Sequence, residues 1–295
     1  MTTVTDAPED KKMPLLDHLI ELRQRLLYSV IALLVVFLVC FYFAQPIFGY
    51  LAQPLADVML EHGIAEHQRR LIFTALTEVF FTYVKVAFFA AAFICFPVFL
   101  TQLWLFVAPG LYRHEKSALA PFLVATPFLF FTGGALVYYV IFPFAATFFI
   151  GFEVPGGENS LPIQLEPKVN EYLSLLMQLI FAFGLCFQLP VVMTLLARVG
   201  LATSKGMAAK RKYAIVGVFI VAAIFTPPDP LSQISLAVPI IILYEISIIM
   251  AKMVEKKRAK REAEDDFNLD GEDDFDDEDD DGGTPAGGGT SPVKT

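Results

Sequence analysis

Long uncharged runs of hydrophobic residues divide the chain into segments. Residues 26–44 are 19 consecutive uncharged residues, enough to cross a bilayer as one helix. Similar runs recur between polar segments, and they predict six spans at residues 26–46, 78–105, 118–142, 172–197, 212–226 and 231–251. The pattern predicts an all-α membrane protein with six transmembrane helices, in which kinked and short spans form a concave bundle.

Two of these spans have unusual lengths. The third apolar region continues to residue 152 and contains several prolines, including Pro143. As one helix it would extend about 54 Å, against a bilayer core of about 30 Å, so it must tilt, kink, or end in a separate surface helix after Pro143. The fifth span is short, because only the residues from Tyr213 to Phe225 are strongly apolar. It implies local thinning of the bilayer or burial within the bundle.

The distribution of basic residues predicts the orientation. One side of the predicted spans carries 17 Lys and Arg residues and the opposite side carries three. Because Lys and Arg are retained in the cytoplasm, both termini of this multispanning protein are expected there. The segments at residues 47–77, 143–171 and 227–230 are then outer loops.

Composition supports a membrane domain with a separate tail. The chain is 56% hydrophobic and 18% charged, whereas soluble domains are about 45–50% apolar and about 25% charged. The net charge of −9 arises from 14 Asp and Glu within residues 262–281. We therefore predict a membrane domain at residues 1–258 and a basic, then acidic, disordered cytoplasmic tail at residues 259–295.

The segment at residues 18–25, HLIELRQR, leads into the first span. Its leucines recur at helical spacing, so it is an amphipathic helix. Glu21 and Arg25 are separated by four residues, which favours a surface ion pair worth only about 0.3–0.5 kcal/mol. The alternative is that Glu21 is presented to a cationic ligand at the cytoplasmic surface.

The segment at residues 102–116, QLWLFVAPGLYRHEK, joins the second and third spans. Trp104, Phe106 and Tyr112 flank a break at Pro109 and Gly110. Aromatic residues anchor at the membrane interface, and here they could also line an apolar groove beside Glu115. Glu115 either neutralises its basic neighbours or belongs to a recognition site.

Polar residues also occur near the later spans. Residues 226–233, TPPDPLSQ, predict a rigid outer hairpin in which Asp229 caps the last helix, one turn before Gln233. Gln188 precedes Pro190 within the fourth span, where we expect it to hydrogen-bond inside the bundle.

The sequence lacks the motifs of an enzyme or a metal protein. Its three cysteines lie in apolar segments, its four histidines have no metal-binding spacing, and no nucleophile motif or phosphate-binding loop is present. We therefore predict no catalytic site, no metal and no cofactor, and no nucleic acid as partner.

Four segments together resemble a known family. HLIELRQR at 18–25, QLWLFVAPGLYRHEK at 102–116, FQLPV at 187–191 and TPPDPLSQ at 226–233 are similar, in order and spacing, to the signature segments of TatC. TatC is the multispanning receptor subunit of the twin-arginine protein translocase. The resemblance covers residues 14–255 and leaves out the acidic tail.

This resemblance implies a signal-peptide binding site. In the family, two cytoplasmic carboxylates recognise the consecutive arginines in the signal peptides of folded cargo proteins, and they match Glu21 and Glu115. Arg23, Phe106 and Tyr112 match positions near that site. Export is then driven by the proton motive force.

The resemblance also implies partner subunits and self-association in a multimeric complex within the lipid bilayer. Pro54 matches a proline implicated in translocation. Asp229 and Gln233 match the region where the single-span subunits TatB and TatA dock. Gln188 stands where many members carry Glu, so it can hydrogen-bond but cannot titrate.

The chemistry of arginine fits this function. A guanidinium pairs with a carboxylate through two hydrogen bonds, which lysine cannot do. Two such pairs contribute about 3–6 kcal/mol, which corresponds to millimolar to tens-of-micromolar affinity, so the apolar part of a signal must bind as well.

The alternative function is a small-solute secondary transporter. Such proteins favour ionisable residues near the membrane midplane and are built from repeated halves. The carboxylates here cluster at the cytoplasmic surface, and the two halves show no repeat.

Overall fold

The protein is a bundle of helices. The computed structural model describes residues 15–66, 68–107, 120–154, 156, 161–198, 200–225 and 230–272. Within them lie ten α-helices and one π-helix: α1 Leu15–Tyr42, α2 Ala44–Glu61, α3 Glu78–Val107, α4 Ala120–Leu136, the π-helix Val137–Ile141, α5 Phe142–Ile150, α6 Val169–Cys186, α7 Leu189–Arg198, α8 Ser204–Ala209, α9 Arg211–Phe225 and α10 Pro230–Glu272.

Within the described part of the chain, five helical stretches are long and apolar enough to cross a membrane. They are Leu19–Tyr42, Glu78–Leu103, Val124–Ile150, Val169–Arg198 and Gln233–Lys260. They correspond to five of the six predicted spans, and the all-α fold is confirmed for the described residues. The remaining one, the fifth predicted span at residues 212–226, falls on α9, whose 15 residues extend about 22 Å, less than a bilayer core of about 30 Å. A crossing by α9 stays a prediction.

The long third apolar region changes its hydrogen bonding before Pro143. The backbone N–H of Phe142 donates to the carbonyl of Val137, five residues earlier, as in a π-helix. Pro143 follows at the start of α5, where its missing N–H removes a helical donor. Of the predicted alternatives, the structure has a helix interrupted by a π-helical segment, a known cause of kinks.

The connection predicted at residues 47–77 lies between two candidate spans, and its first part is helical. α2 forms this part. Leu51, Leu55, Val58 and Met59 of this helix are buried against the bundle. Their spacing of three and four residues produces one apolar face, which explains the helix. The interior position of Pro54 weakens that signal in the sequence.

The core is centred on α6. Leu173, Leu176 and Phe183 on this helix are completely inaccessible to solvent. α6 approaches α4 closely at Gly184, where an added Cβ would lie 2.5 Å from a ring carbon of Phe130. A hydrogen at this position lets the two helices pack together.

α1 lies at the side of the bundle and packs on α3. The buried centre of this contact contains small side chains, Cys40 of α1 with Ala87 and Ala91 of α3, and Ala44 at the start of α2 belongs to the same cluster. Most large apolar residues of α1 remain exposed, as expected for a helix that faces lipid.

Two connections tie the starts of α3 and α6 together. Ile72 donates its N–H to the carbonyl of Pro167, and Val169 donates to the carbonyl of Ile72. Arg70 and Glu166 form an ion pair of 2.8 Å beside them. These contacts fix the end of the bundle opposite the start of α1.

Candidate functional site

Glu21 lies in the second turn of α1 and is paired with a basic side chain of the same helix. The Nε of Arg25 donates to the Glu21 Oε1 at 3.0 Å, and an Nη of Arg25 contacts the same oxygen. The side chain of Glu21 is only 25% accessible to solvent, and that of Arg25 only 22%. The ion pair expected from their spacing is confirmed, and it is more sheltered than a solvated surface pair.

Arg25 also reaches the end of α3. Its other Nη lies 3.4 Å from the side-chain oxygen of Gln102, at the long limit of a hydrogen bond. Ser29, one turn further along α1, donates its hydroxyl to the Arg25 carbonyl. Glu21 and the first residue of the segment at 102–116 therefore meet around one guanidinium.

The other residues of the predicted signal-binding site are described only in part. Arg23 is exposed on α1, and Phe106 is half-buried near the end of α3. Tyr112 and Glu115 lie outside the described residues. A joint role of Glu21 and Glu115 stays a prediction.

Pro54 lies in the middle of α2 and alters the hydrogen bonding of that helix. A proline has no N–H, so the carbonyl four residues earlier, that of Tyr50, loses its helical donor. The hydroxyl of Tyr138, in the π-helix, donates to this carbonyl at 2.7 Å. The hydroxyl of Tyr172 on α6 donates to the next carbonyl, that of Leu51, at 2.8 Å. Two tyrosines thereby attach the region of Pro54 to the core.

Gln188 makes the hydrogen bond within the bundle that its position predicts. It lies between α6 and α7, is 7% accessible, and donates its Nε2 to the carbonyl of Thr126 on α4 at 2.9 Å. Its Oε1 is buried and has no hydrogen-bond partner among the described residues. The side chain joins α4 to the break before Pro190.

Gln233 joins the last two helices. Its Nε2 donates to the carbonyl of Phe219 on α9 at 3.1 Å, so this polar side chain in an apolar segment has a partner. Asp229, which the sequence places in the preceding hairpin, lies outside the described residues.

A large cavity opens beside α5 and α6. It has a volume of about 390 Å³, and its lining is mostly apolar, with Lys168 and Glu171 among the few charged residues. Within the described parts of the chain, no group of three or more His, Cys, Asp or Glu residues could hold a metal ion.

The predicted residues occupy separate places in the fold. Glu21 is near the start of α1, about 32 Å along the helix from its last residue, Tyr42. Pro54 belongs to α2, which follows Tyr42. Glu21 and Pro54 therefore lie at different ends of the bundle. Sequence reasoning missed Tyr138 and Tyr172 as partners of α2. It also assigned no role to Gln102, although the quoted segment begins with it.

Comparisons with known proteins agree with this architecture. The family model of the Sec-independent protein translocase protein TatC matches residues 17–239. The chain is 49% identical to the Sec-independent protein translocase protein TatC of Magnetococcus marinus, over 90% of this chain and 95% of that protein. It is 38% identical to the TatC of Escherichia coli K12, over 84% of this chain and 92% of that protein.

A solved structure has the same fold. The crystal structure of a twin-arginine translocase receptor, TatC, superposes with a TM-score of 0.67 at 35% identity, over 80% of this chain and 99% of that chain. A second TatC receptor structure, determined in the detergent DDM, gives a TM-score of 0.68 at 36% identity, over 79% of this chain and 99% of that chain. The chain belongs to the TatC family of Sec-independent protein translocase proteins.

Proposed function

We propose that the chain is the signal-peptide receptor of a twin-arginine translocation system. It binds the paired arginines of folded cargo proteins at the cytoplasmic face through Glu21 and Glu115. Arg23, Phe106 and Tyr112 lie around that site. The protein then assembles with single-span partners of the TatA and TatB type, and the proton motive force drives export.

The observation that carries this proposal is the partly sheltered carboxylate of Glu21 in contact with a guanidinium. The contact supports the proposal because this carboxylate already pairs with the chemical group that a twin-arginine signal would bring. A carboxylate and a guanidinium form strong, directional hydrogen bonds, particularly when they are partly removed from water. The sequence similarity to TatC proteins supports the same function.

The outer surface of α9 supports docking of a partner helix. Val216, Ile220 and Ile224 are exposed and lie four residues apart, so they form one apolar stripe. Gln233 contacts the backbone of this helix from α10. We propose that single-span partners pack here, and that the short α9 crosses the membrane in their company.

The orientation follows from the basic residues. With most Lys and Arg residues on one side, the start of α1 and the end of α10 are proposed to lie in the cytoplasm, in the inner membrane of a bacterium. Glu21 then faces the compartment in which cargo folds.

Site-specific crosslinking of a twin-arginine signal peptide tests this function. We expect Glu21→Ala and Glu115→Ala to abolish crosslinking while the protein still inserts into the membrane. Glu61→Ala, which removes an exposed carboxylate at the end of α2, is the matched control and should leave crosslinking unchanged. Normal crosslinking in both single variants and in the double variant would contradict the proposal.

A further inference from the structure

The carboxylate proposed to bind a signal arginine is already occupied by an arginine of the same chain. Arg25 places its Nε 3.0 Å from the Glu21 Oε1 and a second nitrogen against the same oxygen. We propose that Arg25 is an internal competitor, which must leave Glu21 before a signal arginine can pair with it fully. This inference rests on the proposed function.

The geometry of the pair makes the two guanidiniums exclusive. Among the described residues, hydrogen bonds to the Glu21 carboxylate are made to Oε1, and none is made to Oε2. An incoming guanidinium or ammonium could reach Oε2 alone, but it would then lie beside the positive charge of Arg25, so either cation is opposed by Arg25. Pairing through two parallel hydrogen bonds requires both oxygens, so it requires that Arg25 move away.

The structure provides a second position for the displaced side chain. Gln102 offers a neutral oxygen 3.4 Å from an Nη of Arg25. A short rotation toward the end of α3 would strengthen this contact while Glu21 is released. Ser29 holds the Arg25 carbonyl, so the side chain can move without a change in the backbone of α1.

The competitor keeps the empty receptor stable. A partly sheltered carboxylate without a partner is unfavourable, and Arg25 supplies that partner when no signal is bound. The same contact lowers the apparent affinity for every ligand that uses Glu21. The cost of displacing Arg25 is the same for each ligand, so an ammonium, which pairs less well with Glu21 than a guanidinium does, is the weaker ligand with or without Arg25.

Two roles of Arg25, competing with the signal for Glu21 or positioning Glu21, predict different effects of its loss on peptide affinity. If Arg25 must be displaced, its loss strengthens binding of twin-arginine and twin-lysine peptides by one common factor, because the competitor is the same for both. We expect about three- to tenfold, the range for a partly sheltered pair, with tenfold corresponding to about 1.4 kcal/mol. The ratio between the two peptides stays unchanged, since Glu21 itself determines it. A residue that positions Glu21 would have the opposite effect: its loss would weaken the twin-arginine peptide most.

The test is equilibrium binding of both peptides to the purified full-length protein in nanodiscs. Arg25→Gln should bind each peptide about three- to tenfold more tightly. Lys256→Gln removes one exposed positive charge from α10 and controls for general electrostatics, so it should not tighten binding. In a Glu21→Gln background, Arg25→Gln should have no effect, because there is no carboxylate left to release.

The outcomes separate the two proposals. Unchanged or weaker binding in Arg25→Gln, with a wild type that prefers the twin-arginine peptide, overturns the competitor role and leaves the receptor function intact. Equal tightening in Lys256→Gln also overturns it, because the effect would then be general charge. A wild type that binds neither peptide, or both equally, contradicts the receptor function and the competitor role together.

Discussion

At the scale of single residues, Pro54 acts through a carbonyl that it leaves without a helical donor. Tyr138 supplies the missing hydrogen bond to Tyr50 from a position 88 residues away in the chain. The tyrosine hydroxyl therefore takes the place of a backbone N–H. Pro54 matches a proline implicated in translocation in the family. The backbone preceding it is hydrogen-bonded to Tyr138 of the π-helix and to Tyr172 of α6.

This arrangement predicts that Tyr138 and Pro54 are coupled. We expect Tyr138→Phe to destabilise the protein by about 1 kcal/mol, because the Tyr50 carbonyl loses its donor. In a Pro54→Ala background the same change should have little effect, since residue 54 then has an N–H for that carbonyl. Thermal unfolding in detergent measures all four proteins.

Tyr139→Phe is the matched control for this cycle. Its hydroxyl contacts the Tyr50 hydroxyl on the exposed surface, so its loss should change stability little in either background. Equal losses from Tyr138→Phe with and without Pro54 would show that the hydroxyl does not replace the helical donor.

At the scale of helices, the contact of α4 with α6 depends on one small residue. The ring of Phe130 is completely buried and stacks on Phe96, so it cannot move aside for a larger neighbour. We expect Gly184→Ala to destabilise the protein by about 1–3 kcal/mol through overpacking. The change in melting temperature in detergent measures this effect.

Gly217 in α9 provides the control for that substitution. An added Cβ there would meet no atom within 4 Å, so Gly217→Ala should be neutral or stabilise the helix by up to about 1 kcal/mol. A Gly184→Ala variant as stable as Gly217→Ala would contradict the close packing of α4 and α6.

The sequence predicts helices well where apolar runs are long and less well where a helix is short or interrupted. α1, α3 and α6 follow from uncharged runs that must satisfy their own backbone hydrogen bonds in a membrane. α2 was missed because Pro54 breaks its pattern, and its apolar face becomes clear only when the bundle that covers it is known. The π-helix was missed because its register depends on Pro143 and on the tertiary contact of Tyr138 with α2.

At the scale of the whole molecule, α9 decides the number of membrane crossings. Five longer stretches of the described residues are long and apolar enough to cross, and a crossing by α9 would place the segment before it and the end of α10 on the same side. Single cysteines in a cysteine-free background report this directly. We expect Lys205→Cys and Lys257→Cys to be labelled from the cytoplasm and Leu161→Cys from outside. All three positions are exposed. Labelling of residues 205 and 257 from opposite sides would contradict six spans.

The acidic tail accounts for the net negative charge of the chain but lies beyond the matched family region. Residues 17–239 match the family model, and 14 acidic residues fall within 262–281. We expect removal of residues 273–295 to leave insertion and signal-peptide crosslinking unchanged. Loss of crosslinking in the truncated protein would assign the tail a part in recognition.

The candidate site was predictable in its chemistry and only partly in its geometry. The carboxylate of Glu21 and its spacing from Arg25 are visible in the sequence. The contact with Gln102 is not, because it joins α1 to a helix 77 residues away and depends on how the two pack. Because of this contact, Arg25 is not only the ion-pair partner of Glu21 on α1 but also links α1 to α3.

The central claim is that Glu21 recognises a signal arginine, and binding of a twin-arginine signal peptide to the purified protein tests it most directly. The measurement compares this peptide with its twin-lysine variant, on the wild type and on Glu21→Gln. The wild type should prefer the twin-arginine peptide, and Glu21→Gln should lose most of that preference because an uncharged amide cannot accept two parallel hydrogen bonds from a guanidinium as a carboxylate does. Equal binding of the two peptides to the wild type, or an unchanged preference in Glu21→Gln, would contradict the account.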